Sequence, residues 1–283
     1  MQNAIDRALP ELRQIETAVA ATPVVDGAGV PLARVVGTSS LPLVDPFLLL
    51  DEIGSDEPQA HGAGFPDHPH RGFETVSYML RGRMRHTDHA GHAGVVEAGG
   101  VQWMSAGRGI VHSEMPEPVR DRLWGFQLWV NLPAARKLAE PRYQEFNADS
   151  VVEEARSPST LVRVIAGTTS LGSEGPVRGI STDPRFFDVR MKPGGRFAEE
   201  IPRGHNVLVH VYRGSVELGA AELQTGNAAV LGAGERVELR AGERGGELLL
   251  LAGRPLNEPV VRAGPFVMNT RDELLQAFRD FSG

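Results

Sequence analysis

From Thr22 onward the chain is written in short runs of β-branched and aliphatic residues punctuated by glycine and proline: VVDGAGVPLARVVG, then PLVDPFLLLDEIG. Runs of this length between turn formers predict strands. In WGFQLWVNLP, Phe126, Leu128 and Val130 alternate with Gln127 and Trp129, the period of a strand, and Pro133 ends it. Residues 134 to about 160, rich in Glu, Arg, Ala and Ser, read as a surface connector with one helical turn. The strand pattern then returns in LVRVIAGTTS, FFDVRMKPGG, HNVLVHVYRGSVELG, NAAVLGAGERVELRAG and GELLLLAG. Helical spacing occurs only at the ends. Ile5, Leu9, Leu12 and Ile15 predict a short amphipathic helix within residues 1 to about 20, interrupted by Pro10. In NTRDELLQAFRDF, Thr270 and Glu273 fit a capping box, and Leu274, Leu275 and Phe278 form an apolar face.

The β pattern repeats. ETVSYMLRGRMR, residues 74–85, resembles NVLVHVYRGSVEL, residues 206–218, with Arg81-Gly82 matching Arg213-Gly214. AGGVQWMSAGRG, residues 98–109, resembles QTGNAAVLGAGE, residues 224–235. The reading is all-β, with two tandem small barrels. The expected division is 25–135 for the first domain, 136–180 for a connector and the start of the second barrel, and 181–283 for the second domain.

Composition narrows the function classes. Of 283 residues, 41% are hydrophobic and 23% charged, as in a globular protein. The net charge of -7 is spread without long like-charge blocks, so no nucleic-acid footprint is visible. With no cysteine, any metal must be held by His, Asp or Glu. The N-terminus does not read as a signal peptide, and no apolar run approaches the roughly 18 residues of a membrane span. The expectation is a cytoplasmic protein with no membrane partner.

Those constraints direct attention to the stretch from His68 to Glu114. It opens on His68-Pro-His70 and closes on His112-Ser-Glu114. If both ends are strands, each i, i+2 pair projects to one face, and four metal-ligand types converge. At the corresponding places in the second repeat stand Glu200, Pro202, Leu239 and Ala241, so the second barrel is expected to hold no metal.

The spacing from Gly62 through His68, His70 and Glu74 to Gly82 resembles the first motif of the cupin superfamily, and Gly100 through Gly109 to His112 resembles the second. HPHRGFETVSYML, QWMSAGRGIVHSEMP, LWVNLP and GPFVMNTRDELLQAF together resemble the pirin family, from about residue 25 to the end. That resemblance implies two cupin (jelly-roll) barrels and one iron-type site in the N-terminal barrel, with His68, His70, His112 and Glu114 as ligands and Glu74 outside the set. Ligand identity alone does not separate Fe(II) from Ni, Cu, Mn or Zn; the resemblance favours iron. Because imidazole binds metal only when neutral, metal content is expected to fall as pH drops toward the imidazole range. For some members the resemblance implies a dioxygenase of the quercetin 2,3-dioxygenase type, using a small aromatic substrate and O2. The alternative is a non-enzymatic, metal-dependent regulatory protein acting through a protein partner.

Other candidates read more modestly. His86, His89 and His92 are placed on a solvated hairpin tip. His61 falls near the barrel mouth, while His205 and His210 lack ligand spacing and read as structural. Trp103, Met104, Trp124 and Phe126 read as core, with a pocket lining as the alternative. Arg71 and Arg108 stand near the ligands, either to hold an anionic substrate or as salt-bridged surface residues. No catalytic base is assigned.

Overall fold

The computed structural model describes residues 10–55, 64–117 and 122–282. Two large antiparallel sheets carry the fold. The first runs in the order Arg142–Phe146, Val101–Ser105, Phe73–Arg81, Leu123–Asn131, Phe47–Ser55, Val30–Val36, Thr22–Asp26. The second runs Ile15–Ala20, Asn227–Leu231, Asn206–Leu218, Arg236–Gly253, Arg185–Met191, Thr160–Ala166, Val152–Ser157, with Arg196–Glu200 and Ala221–Gln224 paired off this path. The repeated sequences occupy equivalent places. Phe73–Arg81 lies between Val101–Ser105 and Leu123–Asn131, as Asn206–Leu218 lies between Asn227–Leu231 and Arg236–Gly253. The protein is thus all-β, with two cupin domains and a single short α-helix among the described residues.

Strand alternation builds three layers from these sheets. Val76, Tyr78, Trp103, Phe126, Leu128 and Val130 on the first sheet meet Phe186, Leu208, Tyr212, Leu249 and Leu251 on the second in one core between the barrels. The opposite faces line the barrel interiors. The second interior is filled by aliphatic and aromatic side chains, among them Val189, Val209, Phe197, Leu239 and Ala241. Leu239 and Ala241 are close-packed within that interior. The first interior is closed by a four-stranded sheet, Phe65–His70, Ile110–Pro116, Arg83–Asp88 and Ala93–Glu97, and is apolar only toward one end, around Leu32, Ile53, Met79 and Met84.

Polar groups pin the layers together. Asp188, fully buried, accepts from Tyr78 Oη at 2.7 Å, Tyr212 Oη at 2.5 Å and Arg190 Nη2 at 2.7 Å. Tyr78 belongs to the first barrel and Tyr212 to the second, so one carboxylate serves both. Burial and the Asp188 charge push both phenols well above their ordinary pKa. His210, also fully buried, pairs through Nε2 with Glu52 Oε2 at 3.1 Å, and Trp124 Nε1 donates to Glu52 Oε1 at 2.7 Å.

Both chain ends depart from the sequence reading. The N-terminal helix is corrected: Ile15–Ala20 is a strand paired with Asn227–Leu231, and Leu12 bridges to Arg236. Ile15, Thr17 and Val19 are β-branched at alternate positions, and the unpaired edge at Asn227 supplies hydrogen bonds that an isolated short helix cannot match. Ile5 and Leu9 lie outside the described residues. The segment read as a connector also contributes an edge strand, Arg142–Phe146, to the first sheet, and Val152–Ser157 to the second.

At the other end, the hairpin Val261–Ala263/Phe266–Met268 and the helix Arg271–Phe281 turn back onto the first barrel. Val267 N donates to Arg71 O at 3.0 Å. Buried Lys137 donates through Nζ to Gly72 O (2.6 Å), Asn131 Oδ1 (2.7 Å) and Val267 O (3.0 Å). Gly72 has φ +87°, and a Cβ there would lie 2.0 Å from Val267 O, so only glycine permits this approach. The Thr270/Glu273 capping box forms as expected. The predicted apolar face is shifted, however: Leu274 and Ala277 are buried, while Leu275 and Phe278 are 44% and 38% exposed. Among the described residues no helix is long and apolar enough to cross a membrane.

Candidate metal centre

Antiparallel pairing of Phe65–His70 with Ile110–Pro116 sets His112 directly opposite His68 and Ile110 opposite His70. Alternation then turns His68, His70 and His112 inward together. One ring nitrogen from each lies within 4.8 Å of the others, and the ring centroids are 4.5 to 5.0 Å apart. His68 donates its Nδ1–H to Pro66 O at 2.8 Å and His70 donates its own to Pro265 O at 3.4 Å. Both bonds fix the tautomer and leave Nε2 as a free acceptor. His112 is buried, and neither of its nitrogens has a hydrogen-bond partner among the described residues. Three acceptor nitrogens facing one another in a desolvated barrel are costly without a cation between them. The donor set therefore fits a divalent first-row metal.

Glu114 lies in the same cavity, but its carboxylate is not within this 4.8 Å group. The ladder shifts register between His112 and Glu114, so Glu114 pairs with Phe65. Ser77 Oγ donates to Glu114 Oε1 at 2.6 Å and Gln127 Nε2 donates to Oε2 at 2.9 Å, which fixes the orientation of the buried carboxylate. Glu74 occupies the opposite face of the strand that carries Ser77. Burial raises its carboxyl pKa to about 7.

Burial makes protonation of the histidines unfavourable. It holds the His70 imidazole well below its ordinary pKa, with His112 and His68 adding repulsion, and brings His112 down to about 4 despite the Glu114 charge. In the unfolded chain His112 titrates near 6.5, so between pH 6.5 and about 4 the unfolded state binds the extra proton. The metal-free protein is therefore expected to be fully stabilised by this group above pH 6.5 and to lose that contribution as pH falls toward about 4. Urea denaturation of the metal-free protein across this range measures the slope; His112→Gln reduces it, and an unchanged slope contradicts the assignment.

A cavity of about 540 Å³ opens onto these residues, lined by Leu32, Leu49, Ile53, Phe65 and Trp129, with Gln127, Asp51, Arg34 and Arg262 among its polar groups. Gln127 and Trp129 are the residues that alternate with the core positions Phe126, Leu128 and Val130; the strand's second face is the wall of the site. That alternation was the available signal. Arg262 had none, because it arrives from the far end of the chain.

The remaining candidates divide clearly. Trp103, Trp124 and Phe126 lie in the core between the barrels, and Met104 packs with Ala106 and Ile110; none lines the cavity. Arg71 pairs with Asp280 at 2.7 Å, donates to Arg108 O and stacks on Phe281, whereas exposed Arg108 pairs with Glu140 at 2.9 Å. The solvated-loop reading of His86 is corrected: it sits in Arg83–Asp88, is buried, and its Nε2 bonds Glu145 at 2.7 Å. Pairing with Glu114 across the sheet turns it inward. His92 stays exposed and bonds Asp88 at 2.8 Å, while His89 bonds the Val111 backbone. His205 pairs with Asp183 at 3.2 Å. His61 lies outside the described residues.

Two joined barrels, one with an aliphatic interior and one with three convergent histidines under an apolar cavity, define a two-domain cupin with a candidate metal site in its first half. Family models agree with this class: residues 29–130 match "Pirin" and residues 186–283 match "Pirin C-terminal cupin domain". The chain belongs to the pirin family. It is 48% identical over 270 residues to a pirin-like protein of Caulobacter vibrioides, covering 95% of this chain and 98% of the relative. It is 41% identical over 265 residues to human pirin, covering 90% and 88%. Among solved structures, a quercetin 2,3-dioxygenase from Acinetobacter baumannii superposes with a TM-score of 0.87 at 32% identity, covering 96% of this chain and 97% of that one.

Proposed function

We propose that the protein is a cytoplasmic, metal-dependent oxidoreductase of the quercetin 2,3-dioxygenase type, acting on a flavonol-like aromatic substrate with O2. His68, His70 and His112 would hold the metal through imidazole nitrogens, with Glu114 as the fourth ligand and Fe(II) as the ion. The observation that carries this reading is the cavity itself: an apolar chamber of about 540 Å³ whose walls include all but one of these residues, His112 standing opposite His68 on the neighbouring strand. Chambers of this size bury most of a small aromatic molecule. Likeness to the Acinetobacter baumannii enzyme supports the reaction class.

When bound, the ion would supply Lewis-acid and redox chemistry for the reaction of an aromatic ring with dioxygen. The protein's own residues do the rest. Leu32, Leu49, Ile53, Phe65 and Trp129 exclude water and hold a planar ring. Ser77 and Gln127 keep Glu114 in one orientation, so a ligand carboxylate needs no reorganisation. The carbonyls of Pro66 and Pro265 do the same for His68 and His70.

The test is flavonol consumption with matching oxygen uptake by protein reconstituted separately with Fe, Ni, Cu, Mn and Zn. Turnover with at least one metal is expected. Full occupancy without turnover for every metal sinks the enzymatic reading and favours a regulatory protein whose partner contact depends on the metal.

A further inference from the structure

The cavity wall holds two arginines in unlike states. Arg34 is neutralised: its guanidinium meets Asp51 at 2.7 and 2.8 Å and Asp26 at 2.8 Å. Arg262 instead donates through Nη1 to the Leu48 carbonyl at 3.0 Å and lies 4.6 Å above the Trp129 ring. It has no carboxylate within 4.0 Å among the described residues. Two contacts fix its plane at the open side of the cavity, and they leave most of its five N–H donors uncommitted.

Its backbone is fixed as well. Arg262 pairs with Val267 in the hairpin, and Val267 is tied to the first barrel by Arg71 O and Lys137 Nζ. A charged fork is thus delivered from the C-terminal end of the chain to a site built by the N-terminal half. It stands close enough to His70 for its charge to oppose protonation there.

We propose that Arg262 is a specificity-determining residue that selects aromatic ligands carrying an anionic oxygen away from the metal-chelating group. The inference rests on the proposed function for the position of the chelating group, and adds the charge of the substrate. With three neutral imidazoles, Glu114 and a divalent ion, the cavity floor carries a net charge of about +1 (+2 − 1). On the walls Asp26 and Asp51 are both taken up by Arg34, and Asp67 at the rim is exposed and screened. A planar ligand that carries an anionic oxygen away from its chelating group would set that oxygen on the Arg262 guanidinium, with its ring against the apolar wall.

The experiment measures dissociation constants of 3-hydroxyflavone and of its 4′- and 6-carboxylates for the metal-loaded protein. All three share the same chelating oxygens, and the carboxylates place charge at opposite ends. At least one carboxylate is expected to bind about threefold to tenfold tighter than the neutral parent, with the advantage shrinking at high salt. Arg262→Gln brings the ratio to about one, and Arg262→Lys retains part of it, with metal content measured in each. Equal ratios in the wild-type protein and Arg262→Gln, absence of any preference, or failure of all three probes to bind overturns the inference. Oxygen uptake in the same samples separates the two readings. Charge-selective binding without turnover sinks the dioxygenase reading and leaves Arg262 in its role; turnover without selectivity does the reverse.

Discussion

His112→Ala is expected to lower the metal content of the purified protein at least tenfold, since removal of even an outer partner of a ligand costs roughly 10–100-fold in metal affinity. His112 is the histidine with no alternative occupation. Its two nitrogens are buried without partners among the described residues, whereas His68 and His70 each spend Nδ1 on a carbonyl. Removing it leaves two imidazoles on one strand and opens a cavity against the facing strand. His205→Ala, at a residue paired with Asp183 in the second half, is the control and keeps its metal. Elemental analysis of both variants gives the answer; retention of metal by His112→Ala contradicts the site.

Asp188→Ala has the largest expected effect on stability, a loss of about 3–5 kcal/mol in urea denaturation. The carboxylate is fully buried and meets Tyr78, Tyr212 and Arg190. Its removal leaves two phenols from different barrels without an acceptor, and a guanidinium without its counter-charge, at the edge of the core that joins the two sheets. Asp188→Asn keeps an acceptor oxygen and recovers part of the loss. A change below about 1 kcal/mol for Asp188→Ala means that this carboxylate does not hold the barrels together.

How far the sequence carries can be judged from individual residues. The strands around Val76 and Val209 were legible because period-two alternation is a local property, and the approach of His68 to His70 was legible because i, i+2 spacing on a strand fixes a shared face; the register shift between His112 and Glu114, which leaves the carboxylate outside the histidine group, was not. Gln127 and Trp129 were visible as one face of a strand, but a barrel interior that holds a site is polar, and the pattern alone equates polar with solvent. His86 was misjudged for the same reason: its neighbours Asp88 and Gly91 speak of a turn, while its partner Glu145 lies 59 residues away. Ile15–Ala20, Lys137 and Arg262 depend on contacts across the whole chain. Their environments are set by which barrel each end folds onto, and no local pattern encodes that.

The pH reading was sharpened in the same way. Sequence places histidine protonation near its ordinary range, but desolvation of His70 and His112 moves it downward. His70 and His112 therefore stay neutral into mildly acidic solution.

The central claim is a single metal centre in the first barrel and none in the second. Elemental analysis combined with anomalous diffraction from crystals of the purified protein tests it most directly. One ion per chain is expected, bonded to nitrogens of His68, His70 and His112 and an oxygen of Glu114, with no anomalous peak in the second barrel. Metal-replete protein with no peak at these histidines, or a peak among the aliphatic side chains around Leu239, contradicts it.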